Sequence, residues 1–140
     1  MSNGTALLAL TSWALAANAP PLAPPQCTIG TLTGHYVFTG SGFIEPIEPG
    51  IQRLHYGMFR FDGGGTLSGK QSSSRGGNIG RETLEGTYTM SPDCSGTMTF
   101  RFKNRPGTET RWDMYVTVDG KTGHIIRMDD GSMAVRTFER

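Results

Sequence analysis

The stretch Glu85–Phe102, EGTYTMSPDCSGTMTFRF, holds two alternating runs on either side of Ser91-Pro92-Asp93. In an extended chain, successive side chains point to opposite faces. Tyr88 and Met90 therefore share one face while Thr87 and Thr89 share the other. Met98, Phe100 and Phe102 likewise oppose Thr97, Thr99 and Arg101. Period-two patterning broken by Pro-Asp and Gly predicts a β-hairpin buried on one side. Cys94, one of two cysteines, lies in its turn.

The same pattern recurs outward from this hairpin. Upstream, Gly34–Ile44 sets Tyr36 and Phe38 against His35, Val37 and Thr39, and Arg53–Asp62 sets His55, Gly57, Phe59 and Phe61 against Leu54, Tyr56, Met58 and Arg60. Between them lies a loop, residues 45–50, whose two prolines exclude a central strand. Asp62-Gly63-Gly64-Gly65 predicts a hairpin connection, followed by a polar, exposed strand over Thr66–Ser74 and a turn at Arg75–Asn78. Downstream, Asn104–Gly107 turns the chain into Thr110–Asp119, where Trp112, Met114, Val116 and Val118 alternate with Arg111, Asp113, Tyr115 and Thr117. Turns at Asp119-Gly120-Lys121 and Asp130-Gly131 bracket Gly123–Met128, and Met133–Phe138 is the last strand.

About eight short strands with no amphipathic helix between them force antiparallel neighbours. A meander with one apolar face buries that face, and loses its edges, by curling shut. The expected fold is all-β, a single up-and-down antiparallel β-barrel of about eight strands; a two-sheet β-sandwich is the alternative. The expected lining is Tyr36, Phe38, Phe59, Phe61, Leu84, Tyr88, Met90, Met98, Phe100, Phe102, Trp112, Met114, Val116, Val118, Ile126 and Met128, with Arg127 and Arg136 projecting outward.

At 140 residues the chain is one domain at most. Twenty glycines without a G-X-Y period exclude collagen and suit the turns and bends of a curled sheet. Thirteen basic and twelve acidic residues leave a net charge of +1, which argues against nucleic acid as a partner. Residues 1–26 differ from the rest: Thr5–Ala19 is apolar, Ala-rich and uncharged, and a Pro-rich linker follows. That composition predicts a secretory signal, with cleavage expected after Ala14-Leu15-Ala16, ahead of a barrel domain over 27–140. The run is too short for an integral membrane span. A secreted or periplasmic location agrees with Cys27 and Cys94, which are expected to pair.

Three segments carry a resemblance: Gly34-x-Tyr36-x-Phe38-Thr-Gly40, Phe59-x-Phe61-Asp62-Gly63-x-Gly65, and Gly86-Thr-Tyr-Thr-x-x-Pro-Asp-Cys94-x-Gly96-Thr. In order and spacing they resemble a group of small secreted bacterial proteins of uncharacterised function. At the level of fold, the chain is similar to the allene oxide cyclase and dirigent-like barrels, and more loosely to lipocalins. That resemblance implies an apolar molecule held or transformed inside a barrel, with no catalytic motif carried over residue by residue.

No metal-ligand spacing, G-x-S-x-G elbow or phosphate-binding loop is present, so neither a metal nor a cofactor is expected; Gly120-Lys121-Thr122 reads as a hairpin turn. The expected partner is a small apolar molecule lined by Tyr36, Phe38, His55, Phe59, Phe61, Tyr88, Phe100, Trp112 and Met114. A second reading is a cofactor-independent cyclase, isomerase or lyase, with His55 as first catalytic candidate and Tyr88, Tyr36 or Glu45 as partners. A third is a non-enzymatic envelope or matrix component that binds through its outer face. Sequence leaves open whether the protein is an enzyme.

Overall fold

The computed structural model describes residues 26–43, 51–105, 107 and 109–140. After a single 3-10 turn at Ile29–Thr31 come eight strands: β1 (Thr33–Phe43), β2 (Gln52–Asp62), β3 (Thr66–Arg75), β4 (Asn78–Tyr88), β5 (Ser95–Phe102), β6 (Glu109–Val116), β7 (Thr122–Arg127) and β8 (Ala134–Glu139). Each pairs antiparallel with its neighbour in sequence, and β8 returns to β1 through Val37↔Glu139 to Gly42↔Ala134. The sheet is a closed up-and-down barrel, not a sandwich. The expected meander thus holds strand for strand.

The lower end, where β1 begins, is plugged. Cys27 is bonded to Cys94, and the Cys27 amide donates to the Pro92 carbonyl at 3.0 Å. Leu32, fully buried, leads the chain from this clamp into β1. Tyr36 and Tyr88 fix the plug with their hydroxyls. Tyr36 donates to the Gly120 carbonyl at 2.6 Å, and Tyr88 is shared between the Ile29 and Leu32 carbonyls at 3.2 and 3.1 Å. The clamp closes a loop with a sequence separation of 67, which in the chain-entropy model removes roughly 4 kcal/mol of freedom from the unfolded chain.

Above the plug the barrel is filled with aromatic rings. Phe59 stacks on Phe38 at 4.3 Å between centroids and meets Phe61, Phe100 and Phe138 within 6.0 Å. Phe100 in turn stacks on Trp112 at 5.6 Å. Gly57 makes room for Phe38, whose ring would lie 2.6 Å from any Cβ there.

Several expectations fail, each for one reason. Val118 lies in the turn after β6, 61% exposed, because the strand ends at Val116. Ile126 and Met128 face outward, and Ile125 faces in. In β7 the inward positions are Gly123, Ile125 and Arg127, a set less apolar than His124, Ile126 and Met128, so hydrophobicity alone selects the wrong phase. Arg127 and Arg136, both expected to project outward, are inward: the Arg127 side chain is 10% exposed, and Arg136 is 3% exposed in phase with Ala134 and Phe138. The polar strand β3 is also less exposed than its composition suggests, since Leu67, Gln71 and Ser73 are buried.

Candidate functional site

Going up the barrel, carbon gives way to polar groups. One row of paired residues crosses five strands: Arg136 on β8, Gly40 on β1, His55 on β2, Ser73 on β3 and Gly80 on β4. Gly40, Ser73 and Gly80 are small, so the large side chains of the row occupy the space they leave. A Cβ at Gly40 would stand 2.6 Å from the His55 Nε2 and 2.7 Å from the Arg136 Cγ. Both side chains therefore cross the face of β1 at this glycine.

Arg136 is the centre of the arrangement. Its guanidinium lies over three rings, Phe38, Phe100 and Trp112, at 4.8 to 5.1 Å. Such contacts are worth about 2 kcal/mol when desolvated. Its Nη1 donates to Gln71 Oε1 at 2.8 Å; Gln71 Nε2 donates to Glu82 Oε2 at 2.9 Å, and Arg105 Nη2 meets Glu82 Oε1 at 2.8 Å. Thr110 orients the tryptophan floor by accepting the Trp112 indole N–H at 2.9 Å. A second pair, Arg127 Nε to Asp129 Oδ2 at 3.0 Å, stands at the same end. Burial alone would raise the Asp129 carboxyl, but the Arg111 amide and the Arg127 guanidinium outweigh it and hold it below the usual carboxylate range.

Two cations in this group, Arg53 and Arg136, have no carboxylate bonded to them among the described residues. Burial, then the neighbouring arginines, pushes both below the ordinary guanidinium range: Arg105 and Arg75 act on Arg53, and Arg53 and Arg127 act on Arg136. Among the described residues, the buried Arg53 Nε, Arg136 Nε and both His55 ring nitrogens find no hydrogen-bond partner. His55, 2% exposed, is held down to about 2 by burial, then by Arg136 and Arg53. It is therefore neutral at physiological pH. Buried polar groups in folded proteins are nearly always bonded, so several together at one end of a barrel is unusual.

The expected site residues divide between the two ends. His55 is inward as expected, in the polar row. Tyr36 and Tyr88 are buried, but their hydroxyls are committed to the lower plug. Tyr36 lies four residues before Gly40 on β1, about 13 Å along a strand at 3.3 Å per residue, so the structure does not bring it to His55. Glu45 lies outside the described residues. Phe38, Phe59, Phe61, Phe100, Trp112 and Met114 share the interior, and Phe38, Phe100 and Trp112 stand against the Arg136 guanidinium. His35 and His124 are exposed, and His124 Nδ1 pairs with Thr137 Oγ1.

Sequence reasoning missed Arg136, Gln71, Ser73, Glu82 and Arg53. The available signal was the two-residue step from Phe138 to Arg136, and from Phe59 through Gly57 to His55 and Arg53. A groove of about 850 Å³ runs over the outside of the barrel past Val37, Tyr56, Met58, Lys70, Arg81 and Asn104, and it is lined too by Gln71 and Glu82 of the upper-end network.

No protein-family model matches the chain, and no curated protein does. Among solved structures it is similar to redesigned β-barrels. One, mFAP1 bound to DFHBI, has 14% identity over 81% of this chain and 98% of that one, with a TM-score of 0.57. Another, mFAP0 bound to DFHBI, has 15% identity over 79% and 99%, with a TM-score of 0.53. At such identities the likeness is one of fold, and it places the chain among small closed β-barrels.

Proposed function

We propose that this protein is an exported, non-enzymatic barrel that binds a small molecule, and that the molecule enters the polar upper end of the interior. The aromatic middle is packed ring against ring with the chain's own side chains, which leaves the upper row as the place where the interior still has unmet chemistry. One observation carries this reading: Arg136 is buried as a cation, wrapped by three rings, yet bonded by a single side chain. A folded chain that kept such a group only for stability would do as well with a hydrophobic side chain. The apolar molecule expected from the aromatic lining becomes a molecule with an apolar body set against Phe38, Phe100 and Trp112 and a polar head among the arginines.

Export fits the bonded cysteine pair, which is compatible with an oxidising compartment. Among the described residues no helix is long and apolar enough to cross a membrane. The cyclase reading draws on His55, but a ring held down to about 2 is a weak base at neutral pH and serves better to orient a ligand.

Native mass spectrometry of protein purified from its own source tests the proposal. The expected result is a retained small molecule, released by unfolding, together with a fluorescence change at Trp112 when the emptied protein is reloaded. Protein that carries nothing, and whose Trp112 emission answers to no member of a small-molecule panel, would overturn it.

A further inference from the structure

Resting on the reading that the upper end binds a small molecule, we propose that the molecule is a carboxylate, its acid group side-on against the Nε–Nη2 edge of Arg136, with Arg53 as the second cation and the His55 ring beside it. The argument starts from the guanidinium itself. Phe38, Phe100 and Trp112 hold their ring centroids within 5.1 Å of its central carbon, and Nη1 is taken by Gln71. What remains is the edge formed by Nε and Nη2. Nε is buried without a partner, and Nη2 bonds no described residue. Two parallel N–H groups at that edge are the geometry that a planar carboxylate accepts as a bidentate pair.

Charge points the same way. Arg105 has Glu82 and Arg127 has Asp129, while Arg53 and Arg136 have no bonded carboxylate among the described residues and repel each other. An anion seated between them relieves that repulsion in a place where charges are poorly screened. Shape then selects within the anions. A carboxylate lies wholly in the plane of the guanidinium, whereas a phosphate that takes the same fork still has two oxygens out of that plane to be satisfied. His55 carries one N–H when neutral, and its unpartnered nitrogens add one donor for the acid and one acceptor for a hydroxyl or amide on the ligand.

The test uses the full chain carrying Trp13→Phe, so that Trp112 is its single tryptophan, unfolded and refolded in chloride buffer to strip any resident molecule. It is titrated with sodium benzoate, benzamide and inorganic phosphate while Trp112 fluorescence and the Arg136 Nε–H NMR signal are followed. Benzoate should saturate, shift the Nε–H signal downfield and bind at least 30-fold more tightly than benzamide, with phosphate weaker than benzoate. Arg136→Lys, which keeps the charge and loses the fork, should weaken benzoate by at least 10-fold. Arg53→Gln should weaken it several-fold and flatten its salt dependence.

If benzamide matches benzoate, or phosphate surpasses it, the carboxylate assignment is overturned while the binding reading stands. Silence from all three probes in a protein that nonetheless retains a neutral molecule from its source has the same meaning. Silence together with no retained molecule overturns the binding reading itself. Should Arg136→Lys fail to fold, the wild-type Nε–H signal and Arg53→Gln decide the matter.

Discussion

The two ends of this barrel are built from the same strands and spend their polar groups in opposite ways. At the lower end the buried side-chain polar groups among the described residues are used: the Tyr36 hydroxyl bonds the Gly120 carbonyl, the Tyr88 hydroxyl bonds the plug, and the cystine ties the plug to the β4–β5 turn. At the upper end three arginines, Arg53, Arg105 and Arg136, each hold a buried Nε without a partner among the described residues, and both His55 ring nitrogens lack one too. The lower end follows the usual rule that buried polar groups are satisfied by their own chain. The upper end departs from it, and the departure is where function belongs, because proteins tolerate such cost mainly at working sites. Stability and recognition are thus separated along the barrel axis.

This division predicts which substitutions unfold the chain and which only disarm it. The largest effect belongs to the aromatic middle. Phe59→Ala removes a fully buried ring that touches four others, and should cost about 3–5 kcal/mol in urea unfolding. A cost near 1 kcal/mol would mean that the middle is loosely filled and can hold a ligand after all. Next comes the clamp. Replacing Cys27 and Cys94 together by Ser should cost up to roughly 4 kcal/mol and should free the Tyr88 hydroxyl, seen as faster exchange of amides around Ile29–Thr31.

The lower end was largely legible in the sequence and the upper end was not, for one physical reason. Alternation reveals an inward face only where that face is more apolar than the outward one. Tyr36, Phe38, Phe59, Phe61, Tyr88, Phe100 and Trp112 satisfy that condition, so their strands, the meander and the cysteine pair could all be read. In β7 and β8 the contrast inverts: Gly123, Arg127 and Arg136 point in, while Ile126 and Val135 point out. His55 was found because Phe59 and Phe61 fix its phase. Arg136 could have been found the same way from Phe138, had the burial of an arginine been allowed. Closure of the sheet decides it, since the pairing Gly40↔Arg136 exists only after β8 returns to β1.

An effect that accrues gradually sharpens the comparison through pH. His55 is held down to about 2 in the folded protein and titrates near 6.5 when unfolded. Between those values the unfolded chain binds a proton that the folded chain refuses. Its contribution is fully present above about pH 6.5 and is lost as pH falls towards 2, at up to about 1.4 kcal/mol per pH unit. Stability measured from pH 7 to pH 4 should decline at a slope that His55→Gln flattens. A slope unchanged by that substitution would place the loss in the carboxylates instead.

The smallest expected effect is the most discriminating. Arg136→Met removes a buried charge, three ring contacts and one hydrogen bond, and supplies an unbranched apolar side chain of similar length. The lost cation–π attraction and the recovered desolvation energy have similar size and opposite sign, so the net change should fall within about 1 kcal/mol of zero. Without the Arg136 charge, His55 should titrate higher, which shortens the pH range over which it affects stability. Gln71 is left with one free carbonyl, which limits any gain. A melting temperature near that of the natural protein, with binding at the upper end abolished, is the expected outcome. A loss of 3 kcal/mol or more would instead make Arg136 a structural member of the core, and the distinction between the two ends of the barrel would disappear.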